Sequence, residues 1–260
     1  MKLRLDEAVS ERERMTRSQA RSLIMEGRVV VNGVVAAKAG QSIAPDAQIE
    51  IERPRPFVSR GGEKLERALE EFEIDVGGLE VLDVGASTGG FTDCLLQRGA
   101  AHATAVDVGY GQLDWKLRND PRVRVLDRAN FRKLSDDAFP GGFDLIVIDA
   151  SFISLRTILA RAITYVRAGG AIVALVKPQF EAGRARVGKG GVVRERATHR
   201  EVLENLRNAA IGLGLVPVAL IESPLRGPAG NREFFMELKR EGEPFGHARI
   251  DEVLGEEQSA

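Results

Sequence analysis

Four charged side chains, two lysines and two carboxylates, could form one acid–base cluster in this sequence. Asp149 ends the apolar run FDLIVID, Lys177 follows AIVALV, and Glu233 begins EFFMEL. A lysine at the end of a buried strand costs free energy unless it is paired, so the two carboxylates are its natural partners. A lysine held in this way can take part in proton transfer. Lys64 lies far upstream in SRGGEKLERALEEF, and taken alone it is typical of a solvated helix surface.

The elements that must position these residues follow from the apolar runs after residue 73. Short runs rich in valine, isoleucine and leucine alternate with segments of helical period, which predicts an α/β domain with a mostly parallel sheet covered on both faces. The last two runs are joined by LRGPAGNR, which is too short for a helical crossover, so the seventh strand is predicted to be antiparallel. Asp149, Lys177 and Glu233 are then expected at one edge of the sheet. Seven strands with the last reversed is the Rossmann-like arrangement of methyltransferases that depend on S-adenosylmethionine (SAM).

A glycine-rich turn follows the first strand of this domain, in LEVLDVGASTGGF. Glycines allow a sharp turn and a close approach to a ligand, and the dinucleotide and P-loop signatures are both absent from the sequence. Asp107 ends the second strand about 20 residues later, where an acid accepts ribose hydroxyls. Asn130, after the third strand, is assigned to the adenine. The predicted SAM-binding residues are Gly85, Ser87, Gly89, Gly90, Phe91, Asp107, Asn130 and Asp149.

The first 54 residues contain two short helical segments and then RVVVNGVVAA, in which Asn32-Gly33 between valines predicts a hairpin. The stretch RLDEAVSERERMTRSQARSLIMEGRVVVNG resembles the alpha-L (S4-like) RNA-binding domain, a small α+β unit whose basic side chains bind RNA phosphates. A solvated helix face is the alternative. The glycine-rich stretch FEAGRARVGKGGVVRERATHR is predicted to be a phosphate-binding loop. The predicted RNA-binding residues are Arg14, Arg17, Arg21, Arg28, Arg60, Arg184, Arg186 and Lys189.

These patterns predict a division into an RNA-binding unit at residues 1–54, a linker at 55–62, a methyltransferase domain at 63–245 and a C-terminal helix or tail at 246–260. Pro54 and Pro56 favour the linker. Gly61 and Gly62 are expected to give a flexible approach to the helix that follows. Lys64 is expected in the first turn of that helix.

Five motifs resemble the TlyA family of ribosomal RNA 2′-O-ribose methyltransferases, whose catalytic domain is similar to FtsJ. They are RPFVSRGGEKL, DVGASTGGFTDCLL, IDASFISL, LVKPQFE and GPAGNREFF. The resemblance covers nearly the whole chain. It implies SAM-dependent methylation of cytidine in ribosomal RNA, in the large subunit (23S) alone or also in the small subunit (16S). It also implies a catalytic tetrad of Lys64, Asp149, Lys177 and Glu233, and a hinge from Arg55 to Val58.

The implied tetrad suits a ribose 2′-hydroxyl, which is a very weak acid. A lysine can serve as a general base when a neighbouring lysine and partial burial disfavour its charged form, and this role is assigned to Lys177. Asp149 and Glu233 would orient the lysines, and Lys64 would stabilise the developing oxyanion. No metal is expected to take part.

The composition of the chain limits the classes of protein to which it can belong. The chain has 260 residues, a formal charge of −1 and one cysteine, Cys94, so RNA binding must depend on local patches, and a disulfide framework is excluded. No apolar run approaches the roughly 18 residues that span a bilayer, and no signal segment is evident, which predicts a cytoplasmic protein.

A base N-methyltransferase, faintly indicated by DASF at Asp149, remains open as an alternative function. So do a cytolysin, because relatives of the family have been called haemolysins, and a non-enzymatic ribosome-binding factor.

Overall fold

The computed structural model describes residues 3–51 and 56–255, and the chain divides at Arg55–Pro56 into two compact units. The predicted hinge residue Arg55 and the tail 256–260 lie outside the described residues. The first unit consists of β1 (Leu3–Arg4), α1 (Leu5–Arg12), α2 (Arg17–Met25), β2 (Val29–Val31), β3 (Val34–Val35), β4 (Ser42–Ile43) and β5 (Ile49–Ile51). A small core joins both helices to the strands through Leu5, Val9, Ile24 and Val29.

Local sequence signals account for the first unit. Thr16 caps α2 through a reciprocal arrangement with Gln19, which satisfies backbone groups that have no partner at a helix start. Asn32 and Gly33 both have positive φ, at 50° and 79°, and they join β2 to β3 with Val31 opposite Val34. The hairpin prediction is therefore confirmed, because this two-residue turn needs residues that tolerate the left-handed region.

The second unit is the predicted α/β domain. Its seven-stranded sheet has the order β11-β12-β10-β9-β6-β7-β8, and β12 runs antiparallel to both neighbours, as predicted. Its strands are β6 (Glu80–Val84), β7 (His102–Val106), β8 (Val123–Leu126), β9 (Phe143–Ile148), β10 (Val166–Val176), β11 (Val216–Glu222) and β12 (Phe234–Lys239). Its helices are α3 (Arg60–Glu71), α4 (Gly90–Gln97), α5 (Trp115–Arg118), α6 (Leu155–Ala162), α7 (Pro178–Glu181), α8 (Arg196–Gly212) and α9 (His247–Leu254).

The central strands are buried on both faces. Ile146 and Val147, successive residues of β9, belong to separate hydrophobic cores, since side chains alternate across a sheet. One core includes residues of α6, α8 and α9, and the other includes residues of α3 and α4. Because β6, β7, β9 and β10 pair in parallel, their carboxyl ends lie at a common edge of the sheet.

The start of α3 differs from the expectation. Arg60, Gly61 and Gly62, placed by the sequence in a flexible linker, form the first turn of the helix, and Ser59 caps it by accepting a bond from the Gly61 amide at 3.3 Å. A Cβ on Gly62 would overlap the Phe57 ring. One on Gly90 would lie 2.9 Å from the Gly62 amide nitrogen. The glycines therefore allow α3 to cross the start of α4 closely, and Lys64 lies beyond the first turn.

The segment before α3 is attached to α4. Phe57 is 4% exposed. The Val58 amide donates to the Asp93 carboxylate at 2.8 Å, and the Gln97 amide group donates to the Pro56 carbonyl at 2.9 Å. These bonds hold residues 56–58 within the second unit and set where α3 begins.

Asp83 connects β6 to α4 underneath the glycine-rich turn. Its side chain is fully buried, and one carboxylate oxygen accepts the Thr92 amide at 3.0 Å and the Thr92 hydroxyl at 2.6 Å. Burial is the largest influence on this group and raises the pKa of Asp83 to about 7, although the bonds from Thr92 oppose the change. The acid that precedes the glycines is thus a structural support for the turn.

The pH dependence of stability tests this account of Asp83. Its pKa is raised from 3.8 to about 7, so the folded state retains a proton that the unfolded state loses. The stabilising contribution is complete below pH 3.8 and is lost as pH rises through about 7. We expect Asp83→Asn to remove this fall, which cannot exceed about 1.4 kcal/mol per pH unit. Urea unfolding from pH 5 to 8.5 measures the difference, with Glu243→Gln at an exposed site as the control. Parallel curves for wild type and Asp83→Asn would contradict it.

Candidate active site

A cavity of about 510 Å³ opens at the carboxyl edge of the sheet. This volume is ordinary for a small-molecule site. Five of the predicted SAM-binding residues line it, and they follow four different strands: Gly85, Ser87, Asp107, Asn130 and Asp149. The topology therefore brings together residues that are separated by up to 64 positions in sequence.

Backbone groups hold the polar side of the cavity in place. Asp107 accepts the Ser87 amide at 2.8 Å and the Gly109 amide at 2.7 Å, one on each carboxylate oxygen. Gly85 has a φ of 87°, and a Cβ there would lie 2.6 Å from the Asp149 carbonyl oxygen. Only glycine lets the turn after β6 pack this closely on the end of β9. The Asp107 carboxylate is fixed at the cavity and can still accept ribose hydroxyls.

The cavity is also lined by apolar side chains. Phe131, Ile153 and Ile158 line the cavity beside Asn130. The Asn130 side-chain oxygen accepts the Arg132 amide at 3.2 Å. A polar rim for a ribose and an apolar slot for a purine are the features that a nucleoside-containing cofactor requires, so the residues present fit SAM. Gln112, which also lines the cavity, was not predicted from the sequence.

Three predicted cofactor residues lie outside the cavity lining. Gly89 caps α4, and Gly90 faces Ser59 and Gly62 at the crossing of α3. Phe91 is 3% exposed and packs on Phe235 with ring centroids 6.0 Å apart. These residues shape the turn from behind, which a sequence motif cannot distinguish from direct contact with a ligand.

The four residues of the predicted tetrad form two ion pairs. Lys177 Nζ lies 2.5 Å from Asp149 Oδ1, and Lys64 Nζ lies 2.6 Å from Glu233 Oε2. Val176 pairs with Phe234 in the sheet, so Lys177 and Glu233 are each one residue beyond the last pair and lie on neighbouring strands. Lys177 also donates to the Ser151 hydroxyl at 2.9 Å. Ser151 lines the cofactor cavity and was missed by the sequence analysis.

The two pairs differ in burial. The Lys64 and Glu233 side chains are 9% and 1% exposed, whereas those of Lys177 and Asp149 are 12% and 26% exposed. Removing one partner of a buried pair leaves an uncompensated charge and costs roughly 3–5 kcal/mol. Gly227 lies directly against Glu233, because a Cβ on Gly227 would overlap Glu233 Oε1. The loop between β11 and β12 thus closes over the deeper pair.

The predicted RNA-binding residues are distributed over both units. Arg17 and Arg21 donate to the buried carboxylate of Asp6, while Arg14 is exposed. Arg28 pairs with Glu26 at 3.2 Å. In the second unit Arg60 donates to the Arg226 carbonyl at 3.0 Å, and Arg186 pairs with Glu201. Arg184 and Lys189 are exposed in the glycine-rich loop before α8.

Across residues 3–51 and 56–255, no group of three or more histidine, cysteine, aspartate or glutamate side chains could hold a metal ion. Within the same ranges, no helix combines the length and the apolar character needed to cross a membrane.

Comparison with known proteins identifies the family. Residues 57–240 match the FtsJ-like methyltransferase family, and residues 3–49 match the S4 domain. The 16S/23S rRNA (cytidine-2′-O)-methyltransferase TlyA of Mycobacterium tuberculosis is 48% identical over 227 residues, which are 86% of this chain and 84% of the relative. The chain belongs to the TlyA family of FtsJ-like methyltransferases. Its cofactor is S-adenosylmethionine.

Two proteins that carry the name hemolysin are also similar to this chain over most of their length. Hemolysin A of Brachyspira hyodysenteriae is 42% identical, with 89% of this chain and 98% of the relative covered. A solved structure from Streptococcus thermophilus is 42% identical, with a TM-score of 0.75 and coverage of 97% of this chain and 94% of that chain.

The role of Asp107 can be tested by SAM binding. We expect Asp107→Ala to weaken SAM by roughly 1.5–3 kcal/mol, the usual worth of a hydrogen bond to a charged group. Isothermal titration calorimetry measures the change. Asp114→Ala is the matched control, because Asp114 caps α5 in the same loop region but lies outside the cavity lining. Unchanged affinity in Asp107→Ala would remove it from the cofactor site.

Gly227 offers a test of how the deeper pair is positioned. In Gly227→Ala the new methyl group must displace Glu233, and with it Lys64, while the cofactor cavity is untouched. We expect methyl transfer to fall by about 10²-fold, as for a misplacement near 1 Å, with SAM affinity unchanged. Single-turnover rates and calorimetry measure the two quantities. Ala229→Ser, at an exposed site in the same loop, is the control. Full activity in Gly227→Ala would show that this contact does not position Glu233.

Proposed function

We propose that this protein transfers the methyl group of SAM to the 2′-hydroxyl of cytidine in ribosomal RNA, using the tetrad of Lys64, Asp149, Lys177 and Glu233. One observation carries the proposal: both partners of the Lys177 amine, Asp149 and Ser151, line the cofactor cavity. A proton acceptor therefore lies beside the place where the methyl donor binds. The name of the M. tuberculosis relative supports the choice of cytidine 2′-O, and the S4 domain match supports RNA as the substrate.

The chemistry assigned to each pair follows from its position. Bound SAM supplies a methyl group on a positively charged sulfur. The transferred carbon would bond to the 2′-oxygen as its bond to sulfur breaks with the electron pair staying on sulfur, and Lys177 would accept the 2′-proton as general base. Asp149 would orient the Lys177 amine towards the cavity. The main contribution of the protein would be to position the substrate hydroxyl beside the methyl donor.

Lys64 has a different role because its ion pair with Glu233 is the more deeply buried of the two. Its ammonium group adds positive charge next to the reacting hydroxyl and stabilises the developing oxyanion. Glu233 compensates this charge and fixes the lysine. Once Lys177 has accepted the proton, the tetrad contains two cations and two anions and carries no net charge.

The substrate is proposed to be 23S ribosomal RNA in the large subunit, with 16S RNA of the small subunit as a second target. Basic side chains that are at least partly exposed support RNA phosphate binding by both units: Arg14, Arg28, Arg60, Arg184, Arg186 and Lys189. We expect the protein to act in the cytoplasm, where ribosomal subunits are, and to need neither a metal nor a membrane.

The alternatives predict different behaviour. In the reaction of a base N-methyltransferase, the nucleophile is the lone pair of a nitrogen in the substrate base. That attack does not require a proton acceptor at Lys177. A cytolysin or a non-enzymatic ribosome-binding factor accounts for neither the SAM-binding cavity nor the lysine beside it. A SAM titration separates the enzyme from these last two.

The assignment of Lys177 is tested with two substitutions. Lys177→Arg keeps a positive charge for the pair with Asp149 but cannot accept a proton, and Lys177→Met removes both functions. We expect both to abolish methyl transfer and to leave SAM affinity nearly intact. The rates are measured on ribosomal subunits from cells that lack this protein, and the methylated positions in 16S and 23S RNA are mapped by resistance to alkaline hydrolysis.

Lys133→Met, at an exposed site away from the cavity lining, is the control for this experiment. Turnover by Lys177→Arg at the wild-type rate would rule out the base role. Methyl groups found on base nitrogens and not on the 2′-oxygen would favour the N-methyltransferase.

A further inference from the structure

Asp6, in the first turn of α1, is the centre of an arginine cluster in the N-terminal unit. The residue is 0% exposed. Its carboxylate accepts four hydrogen bonds from three arginines: Arg4 donates from Nε at 3.1 Å and from Nη2 at 3.0 Å, Arg17 from Nη2 at 3.3 Å, and Arg21 from Nε at 3.0 Å. Hydrogen bonds from Arg4, and then from Arg21 and Arg17, hold the pKa of Asp6 well below its ordinary value against the opposing effect of burial.

The bonds to Asp6 leave part of each arginine side chain accessible to solvent. Their side chains remain 45%, 45% and 52% exposed. A guanidinium group has five N–H donors in a planar fork, so an edge that faces solvent can still bind a phosphate. Glu7, which is about half exposed, also pairs with Arg17 at 3.0 Å. Three cations and two anions leave the cluster with one excess positive charge.

We propose that Asp6 is a positioning residue that holds Arg4, Arg17 and Arg21 as a preassembled binding surface for RNA phosphates. The inference rests on the proposed function for RNA as the substrate. Long arginine side chains lose rotamer freedom when they bind a phosphate, and this loss weakens binding. In the cluster Asp6 has already ordered them, so RNA binds without that loss. A negative charge beneath an RNA-binding surface therefore strengthens RNA binding.

When one negative charge is removed from the cluster, the direction of the change in RNA affinity separates positioning from simple electrostatics. If Asp6 only reduced the positive charge of the surface, Asp6→Asn would strengthen RNA binding. If Asp6 positions the arginines, Asp6→Asn weakens binding, because an amide has one acceptor oxygen and directs its NH₂ group at the guanidinium groups. Glu7→Gln removes the same charge from the neighbouring residue on the exposed side of the cluster, and so it is the matched control.

The experiment measures affinity for large ribosomal subunits from cells that lack this protein, across a range of salt concentrations. For Asp6→Asn we expect a loss of about tenfold and a log–log salt slope shallower by about 0.9 for each duplex phosphate that the arginines no longer bind. For Glu7→Gln we expect equal or slightly higher affinity. The KM for subunits should rise in Asp6→Asn while kcat and SAM affinity stay unchanged, a split that general loss of structure would not give.

Circular dichroism and thermal unfolding establish that Asp6→Asn is folded. If it is not folded at the assay temperature, Arg21→Lys provides the second test, because it keeps the charge but loses the Nε bond to Asp6, and its affinity should fall at constant net charge. Folded Asp6→Asn with affinity equal to or above that of Glu7→Gln would overturn the inference, as would wild-type affinity in Arg21→Lys. Wild-type protein that neither binds nor methylates the subunits would instead overturn the proposed function.

Discussion

The buried ion pair between Lys64 and Glu233 is the constraint on which the rest of the second unit depends. Both side chains are almost inaccessible to solvent, so each charge must have the other within hydrogen-bond distance. Lys64 is on α3, which precedes the sheet in sequence, and Glu233 immediately precedes the last strand, β12. The pair therefore requires α3 to lie against the edge where β12 starts. The close crossing of α3 and α4 at Gly62 and Gly90 makes this approach possible.

The same edge supports two sites with different needs. The cofactor cavity requires a turn after β6 that packs against β9, which Gly85 permits and Asp83 supports from below. The proposed chemistry requires a lysine at the border of that cavity, which Asp149 and Ser151 provide by holding Lys177. The two lysines are similarly buried, but the Glu233 side chain is 1% exposed and the Asp149 side chain is 26% exposed. This difference in burial is the physical basis for dividing the proposed roles between the two lysines.

Buried carboxylates have related structural roles in both units. Asp83 joins a strand to a helix through Thr92, and its pKa is raised because burial is its largest influence. Asp6 is equally buried but is surrounded by three arginines, and its pKa is lowered. The contrast shows that burial alone does not determine the ionisation of an acid. The charge of the donors makes the difference, because three guanidinium groups reach Asp6, whereas the neutral amide and hydroxyl of Thr92 reach Asp83.

The sequence by itself determined much of the fold and a defined part of the candidate site. Apolar periodicity predicted the sheet, the short connection LRGPAGNR predicted its reversed last strand, and Asn32-Gly33 predicted the hairpin. Asp149, Lys177 and Glu233 were predicted to meet because each stands at the end of a strand that reaches one edge. Asp107 was placed at the cofactor cavity by the same reasoning. These features depend on local pattern and on the few ways in which strands and helices connect.

Only the tertiary structure decided which side chains touch. Gly61 and Gly62 read as a flexible linker but lie in the first turn of α3, where the Phe57 ring leaves no room for a side chain at Gly62. Ser151 and Gln112 carry no recognisable signal, and Phe91 lies within a cofactor motif yet packs on Phe235. Arg17 and Arg21 were predicted to bind RNA phosphates, and only the structure shows that both donate to Asp6. Contacts of this kind depend on how whole elements cross and pack, and this is decided by the shapes of residues that are distant in sequence.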